Sequence, residues 1–169
     1  MPSKPASLTM DAVYTKPGYL FRRMQQIAVA IFMEECRAFD LTSVQYAALV
    51  AIQTHRGIDA TRLSAVIAFD RSTLGSVIER IEAKGLIERK PSPDDKRIKL
   101  LYLTRSGAAL LSEIVPAVDR AQARMLEPLK PADRKTLMAL LSQLVDLSND
   151  SSRVPLRAED ALEHLGKSS

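Results

Sequence analysis

Residues 70–104 constrain the fold most, because one helical pattern is followed there at once by two strand-like runs. Asp70 is a preferred N-cap residue, and Gly85 tolerates the left-handed backbone that ends many helices. Between them, apolar residues recur at intervals of three and four, the spacing of one buried helix face: these are Leu74, Val77, Ile78 and Ile81. The pattern predicts a helix that begins after Asp70 and stops near Gly85.

The two runs after this helix, residues 86–90 and 98–103, are rich in Ile, Leu and Tyr, which favour strands. Prolines and aspartates between the runs favour a turn, so the sequence predicts a β-hairpin with Lys96 and Arg97 at its tip. A polar-faced helix can enter the major groove of DNA, and a cationic tip can enter the narrow minor groove. Together they indicate a winged helix that binds double-stranded DNA.

The hairpin also matches a known pattern, in which Asp, any residue and Arg precede a strand that closes on Leu-Thr. The matching residues here are Asp95, Arg97, Leu103 and Thr104. Together with the preceding helix-turn-helix and, more loosely, the flanking helices, they make residues 17–150 similar to the MarR family of bacterial transcription regulators. The resemblance implies a homodimer that binds a pseudo-palindromic operator as a repressor and is released by a small ligand.

One pair of positions in the predicted recognition helix departs from the family pattern. Many members carry a Thr-Arg pair in the recognition helix where this chain has Gly75 and Ser76, so a common base-reading arginine is missing. A glycine inside a helix is about 1 kcal/mol less favourable than alanine. Two interpretations stay open: Gly75 allows close approach to DNA, or it is a tolerated surface glycine. The operator preference of the family is therefore not transferable to this chain.

Apolar periodicity, together with the turn residues that interrupt it, predicts a mainly α protein. Its predicted fold is a winged helix-turn-helix with a two-stranded wing and long N- and C-terminal dimerisation helices. Thr42 with Gln45 forms a capping-box pattern, and Asp59 and Thr104 are further N-caps. Pro116 predicts a kink in the helix after the wing. The predicted parts are a flexible arm (1–16), a dimerisation helix (17–40), the DNA-binding domain (41–104), two dimerisation helices (105–150) and a tail (151–169) with a short helix over 158–165.

Charge placement agrees with a DNA-binding domain. The net charge is only +4, but residues 56–105 hold eleven Lys or Arg against seven Asp or Glu, and the rest of the chain has thirteen of each. The excess therefore lies within the proposed DNA-reading module, as phosphate contacts require. No apolar run is long enough to span a membrane and the N-terminus lacks a secretory signal, so we expect a cytoplasmic protein without membrane contacts.

The module offers two groups of side chains to DNA. Phosphate contacts position a protein, whereas base and groove contacts specify sequence. We expect the phosphate contacts from Arg62, Arg80, Lys84 and Lys96. We expect the base or groove contacts from Arg71, Ser72, Thr73, Ser76 and Arg97. The family resemblance implies that Arg97 enters the minor groove, and Asp95 is expected to hold it in position.

Catalysis is the main rival function. His55, His164 and Cys36 are separated by many residues and lack metal-ligand spacing. Neither a nucleophile motif nor a glycine-rich phosphate loop is present. We therefore expect no enzyme activity, no metal and no cofactor. A winged helix that binds proteins instead of DNA is an alternative, and steep salt dependence of binding would distinguish DNA from protein contacts.

The resemblance also implies an effector site between the dimerisation helices and the DNA module. Residues there that can stack on an aromatic ring or pair with an anion are Tyr19, Arg22, Arg23, Met24, Phe32, Tyr46 and His55. The segment 17–35 resembles the N-terminal helix of regulators of aromatic-acid breakdown, including hydroxycinnamates. The implied effector is a small aromatic acid or its coenzyme A thioester, whose phosphates suit Arg22 or Arg23. Redox sensing through Cys36 is an alternative within the same fold.

Overall fold

A computed structural model describes residues 9–157 of the protein. This part of the chain is mainly helical, as predicted. Its α-helices are α1 (Met10–Tyr14), α2 (Pro17–Glu35), α3 (Ser43–Thr54), α4 (Ala60–Val66), α5 (Arg71–Ala83), α6 (Arg105–Leu126) and α7 (Pro131–Ser148). Short 3-10 turns follow α2 and α7, over Arg37–Phe39 and Asn149–Ser151.

A small antiparallel sheet carries the wing. Its strands are β1 (Ile58–Asp59), β2 (Ile87–Pro91) and β3 (Lys99–Leu103), in the spatial order β1-β3-β2. The predicted hairpin is β2 and β3, with Ile87 opposite Leu103. The sheet has one strand more than predicted, because Ile58 pairs with Leu101 and joins the start of α4 to the wing.

The predicted capping residues begin their helices in the structure. The hydroxyl of Thr42 accepts the Gln45 N–H at 3.2 Å, and the Gln45 side-chain oxygen accepts the Thr42 N–H at 3.1 Å. Asp59, Asp70 and Thr104 cap α4, α5 and α6 in the same manner, by accepting N–H groups of the first turn. Each cap satisfies a backbone donor that the helix itself leaves unpaired.

The core lies where α3, α4, α5 and the sheet meet the first half of α6. Its largest fully buried aliphatic side chains are Leu49, Ile52, Leu63, Leu74, Ile81, Leu101 and Ile114. Gly107 brings α6 close to the sheet, since an added Cβ would lie 2.1 Å from the Leu86 carbonyl oxygen. Recognition helix α5 and the wing are thus packed on one shared core.

The prediction of a flexible arm is wrong for its last part. Residues 10–14 form α1, whose first turn is capped by Thr9, and the Tyr14 ring lies 5.1 Å from the Tyr19 ring. A helix this short spans barely more than one turn, so apolar periodicity cannot reveal it. The remainder of the predicted arm, residues 1–8, and the predicted helix at 158–165 lie outside the described residues.

Helices α2 and α7 leave their apolar side chains largely uncovered in the protomer. Phe32 is the one residue of α2 that is buried, and α7 has no buried residue among those described. Exposed apolar side chains on these helices include Leu20, Phe21, Met24, Ile27, Met33, Met138, Leu140, Leu144, Val145 and Leu147. Pro116 lies inside an unbroken α6, so the kink stays a prediction. Within residues 9–157, no helix combines the length and apolarity that crossing a bilayer requires.

Candidate nucleic-acid interface

An open groove of about 450 Å³ lies between the N-terminal ends of α4 and α5 and the wing. Its lining residues are Asp59, Ala60, Thr61, Arg62, Arg71, Arg97, Ile98 and Lys99. We call this surface the cationic groove, because its lining contains four Lys or Arg side chains and only one carboxylate. That carboxylate, Asp59, is engaged in capping α4 and in an ion pair with Arg62 at 3.5 Å.

The cationic groove unites three predicted DNA contacts from separate segments. Arg62, Arg71 and Arg97 belong to α4, α5 and the wing, and the fold brings them to one concavity. Lys99 also lines the groove and was missed by sequence reasoning. The signal that could have identified Lys99 is its position at the first residue of a strand, two residues after the wing arginine, since alternate residues of a strand share a face.

The outer face of α5 carries the other predicted base contacts. Ser72, Thr73 and Ser76 are exposed. The Ser72 hydroxyl donates to the Asp70 carboxylate and the Ser76 hydroxyl donates to the Thr73 carbonyl oxygen at 2.9 Å, so both retain lone pairs for base-edge donors. An added Cβ at Gly75 would meet nothing within 4 Å, so the packing of the protomer does not require this glycine.

The tip of the wing is fixed through its backbone. Asp95 Oδ1 accepts the Arg97 N–H at 2.9 Å, and the Asp95 carbonyl oxygen accepts the Ile98 N–H at 2.9 Å. Asp95 therefore holds the main chain of Arg97. The physical reason is that a short carboxylate readily bonds to the N–H two residues later. The side chains of Lys96 and Arg97 remain exposed.

Lys84, the predicted phosphate contact at the end of α5, also has a partner within the protomer. Its ammonium group binds the Asp40 carboxylate at 2.7 Å and also the Asp40 carbonyl oxygen, so it ties the C-terminal end of α5 to the loop before α3. The partners are 44 residues apart in the chain, and no local pattern reveals the pairing. Arg80, the other predicted phosphate contact on α5, is exposed.

Two further contacts fix the wing against α5. Arg89 on β2 donates from Nε to Glu82 Oε2 at 2.7 Å, and this hydrogen bond raises the pKa of the Arg89 guanidinium. The hydroxyls of Thr104 and Ser106 donate to the Gly85 carbonyl oxygen at 2.7 and 2.8 Å. Helix and wing are consequently oriented before any partner binds.

The seven predicted effector residues do not share one cavity of the single protomer. Tyr46 and His55 line one cleft of about 410 Å³ beside α3 and the end of α4, and the buried Phe32 ring lies 6.1 Å from the Tyr46 ring. The other four lie on the exposed face of α2: these are Tyr19, Arg22, Arg23 and Met24. There the Arg22 guanidinium lies 5.0 Å from the centre of the Tyr19 ring.

Cys36 is unsuited to redox sensing in this structure. Its side chain is 1% exposed, and burial raises the pKa of the thiol, as does the neighbouring charge of Glu35. A reactive cysteine needs access and a stabilised thiolate. The structure therefore disfavours the redox alternative. No group of three potential metal ligands occurs among residues 9–157.

Comparisons with known proteins point to one family. Residues 41–99 match the MarR family model. The chain is 31% identical over 144 residues to the transcriptional repressor NicR of Pseudomonas putida, covering 85% of this chain and 91% of NicR. Among solved structures, BpsR of Bordetella bronchiseptica, whose DNA binding is regulated by 6-hydroxynicotinic acid, has 30% identity and a TM-score of 0.74, covering 85% of this chain and 99% of that one. The repressor CouR, bound to a 23-mer DNA duplex, has 26% identity and a TM-score of 0.73, covering 83% and 99%.

Proposed function

Because this chain belongs to the MarR family of DNA-binding transcription regulators, we propose that its cationic groove and the outer face of α5 bind operator DNA. Members of this family regulate transcription and are not enzymes. The observation that carries the proposal is the convergence of Arg62, Arg71 and Arg97 on one groove between two helices and the wing.

The cations and the helix play different parts in this binding. Thr73 and Ser76 on α5 face the base edges in the major groove, whereas Arg97 enters the minor groove, whose narrow form attracts arginine. Arg62, Arg80, Lys96 and Lys99 contact phosphates and set the register of the protein on the duplex. The fixed wing backbone lowers the entropy lost on binding, since its turn is already formed.

The regulator acts as a homodimer in the cytoplasm. Residues 17–40 and 105–150 form the dimerisation part and residues 41–104 the DNA-binding part. Support comes from α2 and α7, which expose contiguous apolar side chains of a kind that soluble monomers cover. A two-fold dimer buries the same face of both copies and presents two recognition helices to a pseudo-palindromic operator.

A small aromatic acid or its coenzyme A thioester releases the repressor from DNA. Support comes from BpsR, which responds to an aromatic acid, and from aromatic and cationic side chains near the helix junctions of this chain. Tyr46 and His55 share a cleft, and the Arg22 guanidinium lies over the Tyr19 ring on α2. Such a ligand must bind the non-DNA-binding dimer more tightly than the binding one.

Operator binding is tested by selecting duplexes from a random library with the full chain and measuring affinity against salt. Several phosphate contacts should make the logarithm of affinity fall steeply and linearly with the logarithm of salt concentration. Replacing both Arg71 and Arg97 by Ala should abolish selection of a consensus. Absence of binding to any duplex in low salt would overturn the proposal.

The effector is tested by thermal-shift measurements with benzoic, hydroxycinnamic and nicotinic acids and their coenzyme A esters. A ligand at one hundred times its Kd stabilises a protein by about 2.7 kcal/mol, which raises Tm by several degrees. The same compound should release the selected duplex. If no aromatic acid or thioester shifts Tm, the proposed effector class is wrong.

A further inference from the structure

The segment that follows α7 folds back on itself. We call residues 149–157 the C-terminal strap. Asn149 clamps Leu156 from both sides: its Oδ1 accepts the Leu156 N–H at 2.8 Å, and its Nδ2 donates to the Leu156 carbonyl oxygen at 3.2 Å. The Ser152 hydroxyl donates to the Val154 carbonyl oxygen at 3.1 Å and accepts the Val154 N–H at 3.2 Å. The strap is therefore an ordered loop.

The far end of the strap docks on the helix-turn-helix. The Arg157 N–H donates to the Ala65 carbonyl oxygen at 3.1 Å, in the last turn of α4. Val154 and Pro155 are half-buried. The strap thus contacts the last turn of α4. The connection from there to recognition helix α5 contains Ala68, whose φ of 48° is left-handed.

Arg153 lies on the strap between these two anchor points. Its side chain is exposed, and it makes no ion pair with the carboxylates of the part of the chain that the structure describes. Hydrogen bonds from Ser72 do most to lower the pKa of the Asp70 carboxyl, and the nearby charge of Arg153 lowers it further. The geometry agrees, because the backbone of Arg157, four residues after Arg153, is bonded to Ala65 at the end of α4, the helix that precedes α5.

We propose that the C-terminal strap is a second DNA-contacting element, which holds Arg153 beside the start of α5 as a ligand for a backbone phosphate. The inference rests on the proposed operator binding. When a recognition helix enters the major groove, its N-terminal residues approach the bases and the preceding helix crosses the backbone, so a cation beside their connecting turn reaches phosphates. The planar guanidinium of arginine matches a phosphate with two parallel hydrogen bonds.

The test compares the full chain with Arg153→Ala, using one duplex selected by the wild type and one of unrelated sequence. A lost phosphate contact weakens binding to both duplexes by the same factor, and it reduces the slope of log affinity against log salt by about 0.9. The charge-matched control is Lys135→Ala, which removes an exposed cation from α7 and should leave the slope unchanged.

A second variant distinguishes the effect of the strap conformation from the effect of the Arg153 charge. Asn149→Ala keeps every cation but removes the clamp, so it should reduce the slope as much as Arg153→Ala and speed hydrogen exchange in residues 65–70. Its control is Ser151→Ala, which should change neither. An Arg153→Ala variant with the wild-type slope and affinity would overturn the strap proposal while leaving operator binding intact. Failure of the wild type to bind DNA would instead overturn the proposed function.

Discussion

At the scale of single residues, Asp95 fixes the backbone from which the Arg97 side chain extends. The Asp95 carboxylate accepts the Arg97 N–H and the Asp95 carbonyl oxygen accepts the Ile98 N–H, so the backbone is fixed on both sides of the Arg97 Cα. The Arg97 side chain itself stays exposed. The turn therefore needs no reordering when the guanidinium enters a groove. The entropy lost on binding is confined to the side chain.

Removal of that guanidinium should affect DNA binding and leave folding intact. We expect Arg97→Ala to weaken operator binding at least tenfold, because the proposed homodimer loses two groove contacts, each worth about 1–3 kcal/mol. Tm should stay within about one degree of the wild type, since exposed side chains away from caps contribute little to stability. A gel-shift titration together with thermal melting tests this, with Lys135→Ala as the exposed-cation control. Unchanged affinity would contradict the role of the wing tip.

Gly107 is a residue whose missing side chain the packing does require. We expect Gly107→Ala to lower the free energy of unfolding by about 2 kcal/mol, because its Cβ would collide with the Leu86 carbonyl oxygen. Gly18 is the matched control, since a Cβ there meets nothing within 4 Å. Gly18→Ala should be neutral or stabilising by up to about 1 kcal/mol. Chemical denaturation of both variants checks the contrast, and equal effects would refute this packing argument.

At the scale of elements, an ion-pair cluster joins α2 to α6. Glu35 contacts Arg120 at 3.2 Å and Arg124 at 3.0 Å, and Arg124 also contacts Glu34 at 3.0 Å. Hydrogen bonds from Arg124 and then Arg120 lower the pKa of Glu35 from its ordinary value of 4.5. The cluster links α2 to α6, the helix that follows the wing.

This cluster should make stability depend on pH. Because the pKa of Glu35 is lower in the folded chain than in the unfolded one, its contribution is fully present above pH 4.5 and is lost as the pH falls through the folded pKa. The difference in unfolding free energy between the wild type and Glu35→Gln should therefore be largest near neutral pH and shrink in acid. Denaturation at several pH values measures it.

A double-mutant cycle provides the control for this cluster. Arg124→Gln removes the main partner of Glu35, so the Glu35→Gln and Arg124→Gln effects at neutral pH should not add. The coupling should also decline in high salt, because the side chains are partly exposed. Additive effects at low salt would contradict an energetic link between α2 and α6.

At the scale of the whole molecule, the protomer leaves apolar side chains of α2 and α7 exposed. Leu140, Leu144 and Leu147 follow helical spacing on α7, and each is about half exposed or more. Exposed leucines at such spacing form a continuous stripe. The proposed dimer covers this stripe and thereby sets the distance between the two recognition helices.

Disruption of the stripe should therefore weaken DNA binding although no DNA-contacting residue is changed. We expect Leu144→Asp to shift the protein from dimer to monomer at micromolar concentration and to weaken operator binding at least tenfold, because a charge at an apolar interface is strongly unfavourable. Analytical ultracentrifugation and gel shifts measure the two effects. Ser142→Asp, an exposed residue on the same helix, is the control. A Leu144→Asp dimer of wild-type affinity would refute α7 as the interface.

The amino-acid sequence by itself determined the starts of α3, α4, α5 and α6, the turn at Gly85 and the winged helix-turn-helix. Capping boxes, apolar spacing and turn residues act over a few positions, so they can be read without tertiary information. The same locality identified Arg97 as the wing tip. Resemblance in the wing and helix-turn-helix then identified the family.

Tertiary structure alone decided which distant side chains meet. It paired Lys84 with Asp40, added Lys99 to the cationic groove, placed Tyr46 and His55 apart from Arg22, and brought the strap at Arg157 onto Ala65. These contacts join residues far apart in the chain. Their formation depends on how the helices pack around the shared core, and no local pattern in the chain encodes that packing.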